Sequence, residues 1–234
     1  MWLRRIALGL ALLGAALLVV SGFGVRAGLW PYGIGIRVFA AVIFVGLGAA
    51  LVAIVALSMR RFRARSAWLA LIVGIVSAAI PLYFLAQARS VPPIHDITTD
   101  TQKPPPFVAI LPLRAGAANP PGYDPKVGEV QKEAYPQIRP LELAVPPAAA
   151  FTRSLAAARE MGWEVVAAEE KEGRIEAVAT TRWFGFKDDV VVRLTPAAGG
   201  TRIDVRSKSR VGRSDVGANA KRIQRFLMLL TTER

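Results

Sequence analysis

The chain has 234 residues, of which 53% are hydrophobic, and its 30 basic and 17 acidic side chains give a formal net charge of +13. It contains no cysteine, which excludes disulfides, thiolate nucleophiles and cysteine-ligated metal sites. The first 89 residues hold nine arginines and no acidic residue, so the remainder is only slightly basic. Because a nucleic-acid-binding domain is usually strongly basic, we predict no nucleic-acid partner and assign most of the charge to the flanks of membrane helices.

Three apolar runs, at about residues 6–23, 34–59 and 67–88, are each long enough to cross a hydrocarbon core of about 30 Å as a helix. A cleavable signal peptide in the first run is disfavoured because two further runs follow it. Glycines and alanines recur through all three runs and indicate close packing of the helices. Residues 1–89 are therefore predicted to be a three-span transmembrane region.

The arginines that flank these runs fall unequally on the two sides of the membrane. One side holds Arg4, Arg5, Arg60, Arg61, Arg63 and Arg65, and the other holds Arg26, Arg37 and Arg89. Cytoplasmic loops are the ones enriched in arginine and lysine. The amino terminus is therefore predicted to be cytoplasmic and, after an odd number of spans, the rest of the chain extracytoplasmic.

Residues 90–138 are predicted to be a proline-rich linker that tethers the following domain and can wrap around it. The stretch from Val91 to Pro147 contains 13 of the 16 prolines, which disfavour regular strands and helices. Within it, residues 107–113 are apolar enough to form a short edge strand. The only histidine, His95, lies near Asp96 and Asp100, but these three residues have no recognised metal-ligand spacing, so a hydrogen-bonded loop residue is the favoured interpretation and no metal site is predicted.

Residues 139–234 are predicted to form a small α+β domain. Apolar residues recur at helical spacing over 148–161 and again after Asp215, and they alternate in between. The predicted strands are 141–145, 163–168, 174–183, 189–195 and 202–210. The resulting order is β-α-β-β-β-β-α, an antiparallel sheet with two helices on one face and a wetter opposite face.

Polar side chains gather at one end of this predicted sheet, beside the amino terminus of the last helix. A regular turn at 198–200 pairs Asp189 with Ser207, Asp188 with Lys208 and Arg193 with Ile203. Helix amino termini and arginines bind anions, so we consider a site for an anionic small molecule or lipid headgroup. Its candidate residues are Thr181, Arg182, Lys187, Asp188, Asp189, Arg206, Ser207, Ser209, Arg210, Arg213, Ser214 and Asn219.

A second interpretation of the same residues is structural. Asp188 and Asp189 then neutralise Arg206, Lys208 or Arg210 across the strands, and Asp215 caps the last helix. If both aspartates lie in a strand, they point to opposite faces of the sheet and cannot act together on one bond. The sequence leaves open whether Arg210, Arg213 and Ser214 are available to a ligand.

Four stretches of the chain resemble one known family. They read PPIHDITTDT, AYPQIRPL, GRIEAVATTRWFGFKDDVVVRL and IDVRSKSRVGRSDVGANAKRI, and together they extend over about residues 92–230. They are similar to the domain of unknown function 1499, a family of bacterial envelope and plastid proteins. The three predicted spans match a membrane-attached version of that family. Together with the orientation predicted from the arginines, the resemblance implies a bacterial inner-membrane protein with a periplasmic domain. No catalytic residue can be carried over from the family.

Three functional hypotheses follow. The first is a non-enzymatic envelope protein whose extracytoplasmic domain binds an anionic ligand or a partner protein. The second is a hydrolase or transferase that uses Asp188 or Asp189 with His95, although no nucleophile and base motif is present. The third is an assembly or stability factor for another membrane complex. We predict no catalytic residue and no cofactor.

Overall fold

The computed structural model describes residues 2–59 and 64–232. It divides into two compact units, one formed by Met1–Arg89 and Thr181–Gly185 and the other by Ser90–Thr180 and Phe186–Arg234. We call them the helical unit and the sheet domain. The arginines at 60, 61 and 63, on which the orientation argument partly depends, lie outside the described residues.

The helical unit contains α1 (Trp2–Arg26), α2 (Tyr32–Ser58) and α3 (Arg65–Ser90). By length and composition, these three helices can each cross a membrane, and the three predicted long apolar helices are confirmed with slightly wider bounds. Their apolar runs lack acidic residues, and most of their large hydrophobic side chains are exposed, as expected for surfaces that face lipid.

Small residues form the contacts between these helices. Buried alanines cluster from all three, namely Ala7, Ala11, Ala49, Ala53 and Ala70. Gly46 and Gly74 mark the closest approach of α2 and α3: a Cβ atom added at Gly46 would lie 2.6 Å from the carbonyl oxygen of Gly74. The predicted close packing is confirmed, because only glycine fits at this crossing.

A loop that follows the fourth strand of the sheet also belongs to the helical unit. In Thr181–Gly185, Trp183 and Phe184 each contact Phe39 of α2 edge to face, with ring centroids 5.6 Å apart. The Arg26 guanidinium donates to the carbonyl oxygen of Arg182 at 2.7 Å. The strand that we predicted to continue to residue 183 therefore ends at Thr180.

The sheet domain is an α+β fold with one antiparallel sheet, as predicted. Its elements in chain order are β1 (Asp96–Thr98), α4 (Pro125–Ala134), β2 (Leu141–Leu143), α5 (Pro147–Glu160), β3 (Glu164–Glu169), β4 (Arg174–Thr180), β5 (Lys187–Ala197), β6 (Gly200–Ser209) and α6 (Ala218–Thr231). The order in the sheet is β1-β6-β5-β4-β3, and β2 pairs with β6 farther along the same edge as β1. The sequence analysis did not predict β1 or α4, which are short and lie among the prolines.

Helices α5 and α6 cover one face of the sheet and form the main core. Alternate residues of the central strands point to this face, including Ile175, Val190, Val192, Ile203 and Val205. Trp163 stacks on Phe226 of α6 with ring centroids 5.2 Å apart. The predicted placement of two helices on one face is therefore correct.

The opposite face of the sheet is not exposed to solvent, contrary to our prediction. Residues 100–122, which we call the covering segment, lie across it and pack Phe107 and Ile110 on Val178 and Val191. Its residues 107–113 do not form the predicted edge strand, since Leu111–Arg114 is a 3₁₀ turn. The Glu176 carboxylate, fully buried, accepts hydrogen bonds from the N–H groups of residues 108, 109 and 110 and so fixes this turn on the sheet.

Candidate functional site

The register of β5 and β6 decides which polar side chains meet at the predicted site. The two strands are joined by a two-residue turn, Ala198 and Gly199, because Ala197 pairs with Gly200. Asp188 therefore lies opposite Ser209, Asp189 opposite Lys208 and Arg193 opposite Asp204. The predicted pairs were wrong by one residue, since Asp189 was expected opposite Ser207 and lies opposite Lys208. Asp188 and Asp189 do point to opposite faces, as predicted, and each joins a different cluster.

On the face covered by helices, Asp188 belongs to a cluster that we call the Asn219 cluster. It consists of Asp188, Ser207, Ser209, Asn219 and Arg222. Asp188 accepts from Nη2 of Arg222 at 2.5 Å, and Ser207 Oγ donates to Oδ1 of Asn219 at 2.7 Å. Nδ2 of Asn219 donates to Oγ of Ser209 at 3.0 Å and to the His95 carbonyl oxygen at 3.1 Å.

Asn219 therefore lies at the interface between α6 and the sheet, fully buried. The apolar stripe of α6, taken alone, would place Asn219 and Arg222 on the side of this helix that faces away from the core. At this end of the sheet the residues that face α6 are polar, namely Ser207, Ser209 and Asp188. They form hydrogen bonds with the polar residues of the helix, which can therefore be buried here. The cluster ties α6 to β5 and β6 by hydrogen bonds.

On the face under the covering segment, Asp189 is completely buried between two arginines. It pairs with Arg114 of the covering segment, and Nη2 of Arg210 lies 2.7 Å from its Oδ1. Arg114 also donates to the carbonyl oxygen of Asn119 at 2.8 Å. Arg210, a predicted ligand-binding residue, therefore makes a bidentate contact with a carboxylate of its own chain.

Arg206, another predicted ligand-binding residue, is also held within the fold. It forms two hydrogen bonds to Asp96 of β1, at 2.9 and 2.8 Å, and its guanidinium lies 4.7 Å from the Phe107 ring centroid. Lys208 donates to the same aspartate at 2.9 Å and to the Gly122 carbonyl oxygen at 2.6 Å. The aspartate that we had considered beside His95 thus neutralises two cations of β6.

Burial shifts the pKa of several of these groups. It lowers the pKa of the Lys208 ammonium, an effect that the charge of Asp96 opposes. It likewise lowers the pKa of Arg114 against the opposing charge of Asp189. Before α6, burial raises the pKa of the Asp215 carboxyl and the charge of Asp188 adds to that rise, while N–H bonds from Asn219 and Gly217 oppose it. Desolvation is the largest influence at all three groups.

The remaining predicted site residues do not join either cluster. Thr181 and Arg182 belong to the helical unit. Ser214 Oγ accepts from the N–H of Val216 at 3.1 Å, which is a local turn contact. The side chains of Lys187 and Arg213 are exposed, and neither forms an ion pair with another described residue.

The geometry does not favour the hydrolase hypothesis. The two aspartates lie on opposite faces and each is bonded to an arginine, so neither is presented as a free base. Nδ1 of His95 lies 3.3 Å from the carbonyl oxygen of Arg213. Among the described residues, no group of three or more His, Cys, Asp or Glu side chains could hold a metal ion.

Sequence reasoning did not find three residues that complete the clusters: Asp96, Arg114 and Arg222. Arg222 could have been found, because it follows Asn219 by three positions and shares its helix face. Asp96 and Arg114 carried no such signal. They precede Asp189 by 93 and 75 residues and lie in a region of the sequence without periodicity.

The comparison with known families agrees with this architecture. A family model described as "Protein of unknown function (DUF1499)" matches residues 96–230. The match begins at the first residue of β1, includes the covering segment and the Asn219 cluster, and ends in the last turn of α6. No curated protein and no solved structure matches the chain. Since the matched residues are more than half of the sequence, the chain belongs to the DUF1499 family of proteins of unknown function.

Proposed function

We propose that this protein is a bacterial inner-membrane protein whose sheet domain lies on the periplasmic side and binds an anionic ligand. The asymmetry of the arginines around the three spans supports the orientation, since the two arginines at the start of α1 and the group from Arg60 to Arg65 indicate cytoplasmic ends. The compartment rests on the resemblance to a family of bacterial envelope and plastid proteins.

One observation carries the preference for binding over catalysis. Five carboxylates of the sheet domain are less than 4% exposed, and each is paired with an arginine or lysine: Asp96, Glu176, Asp188, Asp189 and Asp204. Their charges are neutralised by ion pairs that hold the sheet, the covering segment and α6 together. Exposed cations then remain for a ligand, which favours an anion over a substrate that needs a carboxylate base.

Calorimetric titration of the full chain, reconstituted in nanodiscs of neutral lipid, tests this proposal. We expect saturable binding of glycerol 3-phosphate that weakens as salt is raised, because the exposed cations are screened. Glycerol is the uncharged control and should not bind. Absence of saturable binding to glycerol 3-phosphate and to inorganic phosphate, or equal binding of glycerol, would contradict the proposal.

A further inference from the structure

The sheet domain contains a pocket of about 370 Å³ at the edge of the sheet, away from the residues that we predicted to bind a ligand. It lies where the chain leaves β1 and where it approaches β2, beside the last turn of α4. Its lining is Thr99, Thr101, Gln131, Lys132, Tyr135, Pro136, Ile138 and Arg139. The volume is within the range of sites for small organic ligands.

The charged residues that line this pocket are all basic. Lys132 and Arg139 line it, and no carboxylate is among its described lining residues. Both cations are exposed and neither forms an ion pair with a described residue, in contrast to Arg206 and Arg210. The Arg139 guanidinium is oriented by a hydrogen bond from Nε to the carbonyl oxygen of Pro136 at 2.8 Å, which leaves its two terminal nitrogens for a ligand.

Hydrogen bonds to the backbone hold two other lining side chains, Gln131 and Thr99, in place. The Gln131 side chain accepts from the N–H of Thr98 at 2.9 Å and donates to its carbonyl oxygen at 2.6 Å, so its amide occupies the outer edge of β1 like a strand partner. Thr99 Oγ1 accepts from the N–H of Val205 at 2.9 Å. These bonds tie α4 to β1 and Thr99 to β6, so they hold two of the lining residues in place.

The apolar part of the lining consists of Tyr135, Pro136 and Ile138. Burial raises the pKa of the Tyr135 hydroxyl, and the charge of Asp215 adds to the rise, so this side chain stays neutral and adds no negative charge near the cations. A wall of this kind accommodates the carbon skeleton of a ligand whose anionic end meets the two cations.

A second, larger pocket of about 610 Å³ lies between α5, β2 and the end of α6. Its charged lining residues are Arg153 and Glu160, which have opposite signs. It therefore does not select an anion by charge, and the smaller pocket is the better candidate.

We infer that the pocket between β1, α4 and β2 is the anion site of the sheet domain, and that it binds a small organic phosphate ester through Lys132, Arg139 and the hydroxyl of Thr101. This inference rests on the proposed function, because it assigns the location and ligand class of the binding that we proposed. The phosphate ester is either a soluble metabolite or the headgroup of a lipid.

Glycerol 3-phosphate titrated into the full chain, in the same nanodiscs, tests the assignment. The double variant Lys132→Gln/Arg139→Gln should bind at least about tenfold more weakly than the unaltered protein, since each hydrogen bond to a charged group contributes about a factor of ten or more. The variant Lys171→Gln/Arg159→Gln removes the same charge from exposed positions outside the pocket and should bind as the unaltered protein does. Equal melting temperatures of the three proteins show that folding is unaffected.

The outcomes separate this inference from the proposed function. If the pocket variant binds as tightly as the unaltered protein, the assignment to this pocket is overturned and the proposed function stands. Loss of binding in the variant Lys187→Gln/Arg213→Gln would then assign the site to the end of the sheet. No binding by the unaltered protein overturns both. Dihexanoyl phosphatidylglycerol identifies the source: tighter binding than glycerol 3-phosphate indicates a lipid headgroup, and weaker binding indicates a soluble ester.

Discussion

At the scale of single residues, Asp189 illustrates how charge is used in the sheet domain. It is fully buried and accepts from both Arg114 and Arg210, so a segment that precedes the domain's central strands is held on the sheet by an ion pair. Strand alternation predicted the faces of Asp188 and Asp189 correctly. Their partners could not be predicted, because a shift of one residue in the register changes every cross-strand pair and because Arg114 comes from a distant part of the chain.

Replacing Asp189 by Asn should destabilise the sheet domain strongly. The change keeps the shape of the side chain but leaves the buried Arg114 and the partly buried Arg210 without their counter-charge, and breaking a buried pair costs about 3–5 kcal/mol. Chemical denaturation of the full chain in detergent, followed by tryptophan fluorescence, measures the loss. Glu170→Gln, at an exposed position, is the matched control and should change stability by less than about 0.5 kcal/mol. Equal stability of the two variants would show that the ion pairs contribute little.

At the scale of elements, the long and strongly patterned segments were predictable and the short ones were not. Length and hydrophobicity gave the three spans, and period-two alternation gave the four strands from β3 to β6. In contrast, β1 has only three residues and is held in the sheet by its pairing with β6. The covering segment has no periodic pattern of apolar residues. Tertiary contacts rather than local propensity determine the structure of both.

The crossing of α2 and α3 offers a test of the helix packing. Gly46→Leu should separate these helices, because its Cβ would lie 2.6 Å from a backbone oxygen of Gly74, whereas Gly48→Leu should be tolerated, because a Cβ there has no atom within 4 Å. Thermal unfolding in detergent, followed by circular dichroism, should show a lower melting temperature for the first variant only. A lower melting temperature for both variants, or for neither, would contradict the described crossing.

At the scale of the whole molecule, the protein combines three helices that are long and apolar enough to cross a membrane with a domain whose buried charged residues are paired internally. The sequence indicated the anchor, the α+β class and the family. It left two interpretations of the polar end of the sheet, and the hydrogen bonds of Asp188, Asp189, Arg206 and Arg210 are those of the structural one. The proposed binding function therefore depends on cations that lie outside these clusters.

The central proposal is that the three helices anchor the sheet domain outside the cytoplasm, and site-specific cysteine labelling tests it most directly. Since the chain has no cysteine, Glu170→Cys and Ser66→Cys each introduce a single reporter, the first on the sheet domain and the second in the first turn of α3. With a small membrane-impermeant maleimide, we expect Glu170→Cys to react in intact cells and Ser66→Cys to react only after the membrane is permeabilised. Labelling of Glu170→Cys only after permeabilisation would place the domain in the cytoplasm and contradict the account.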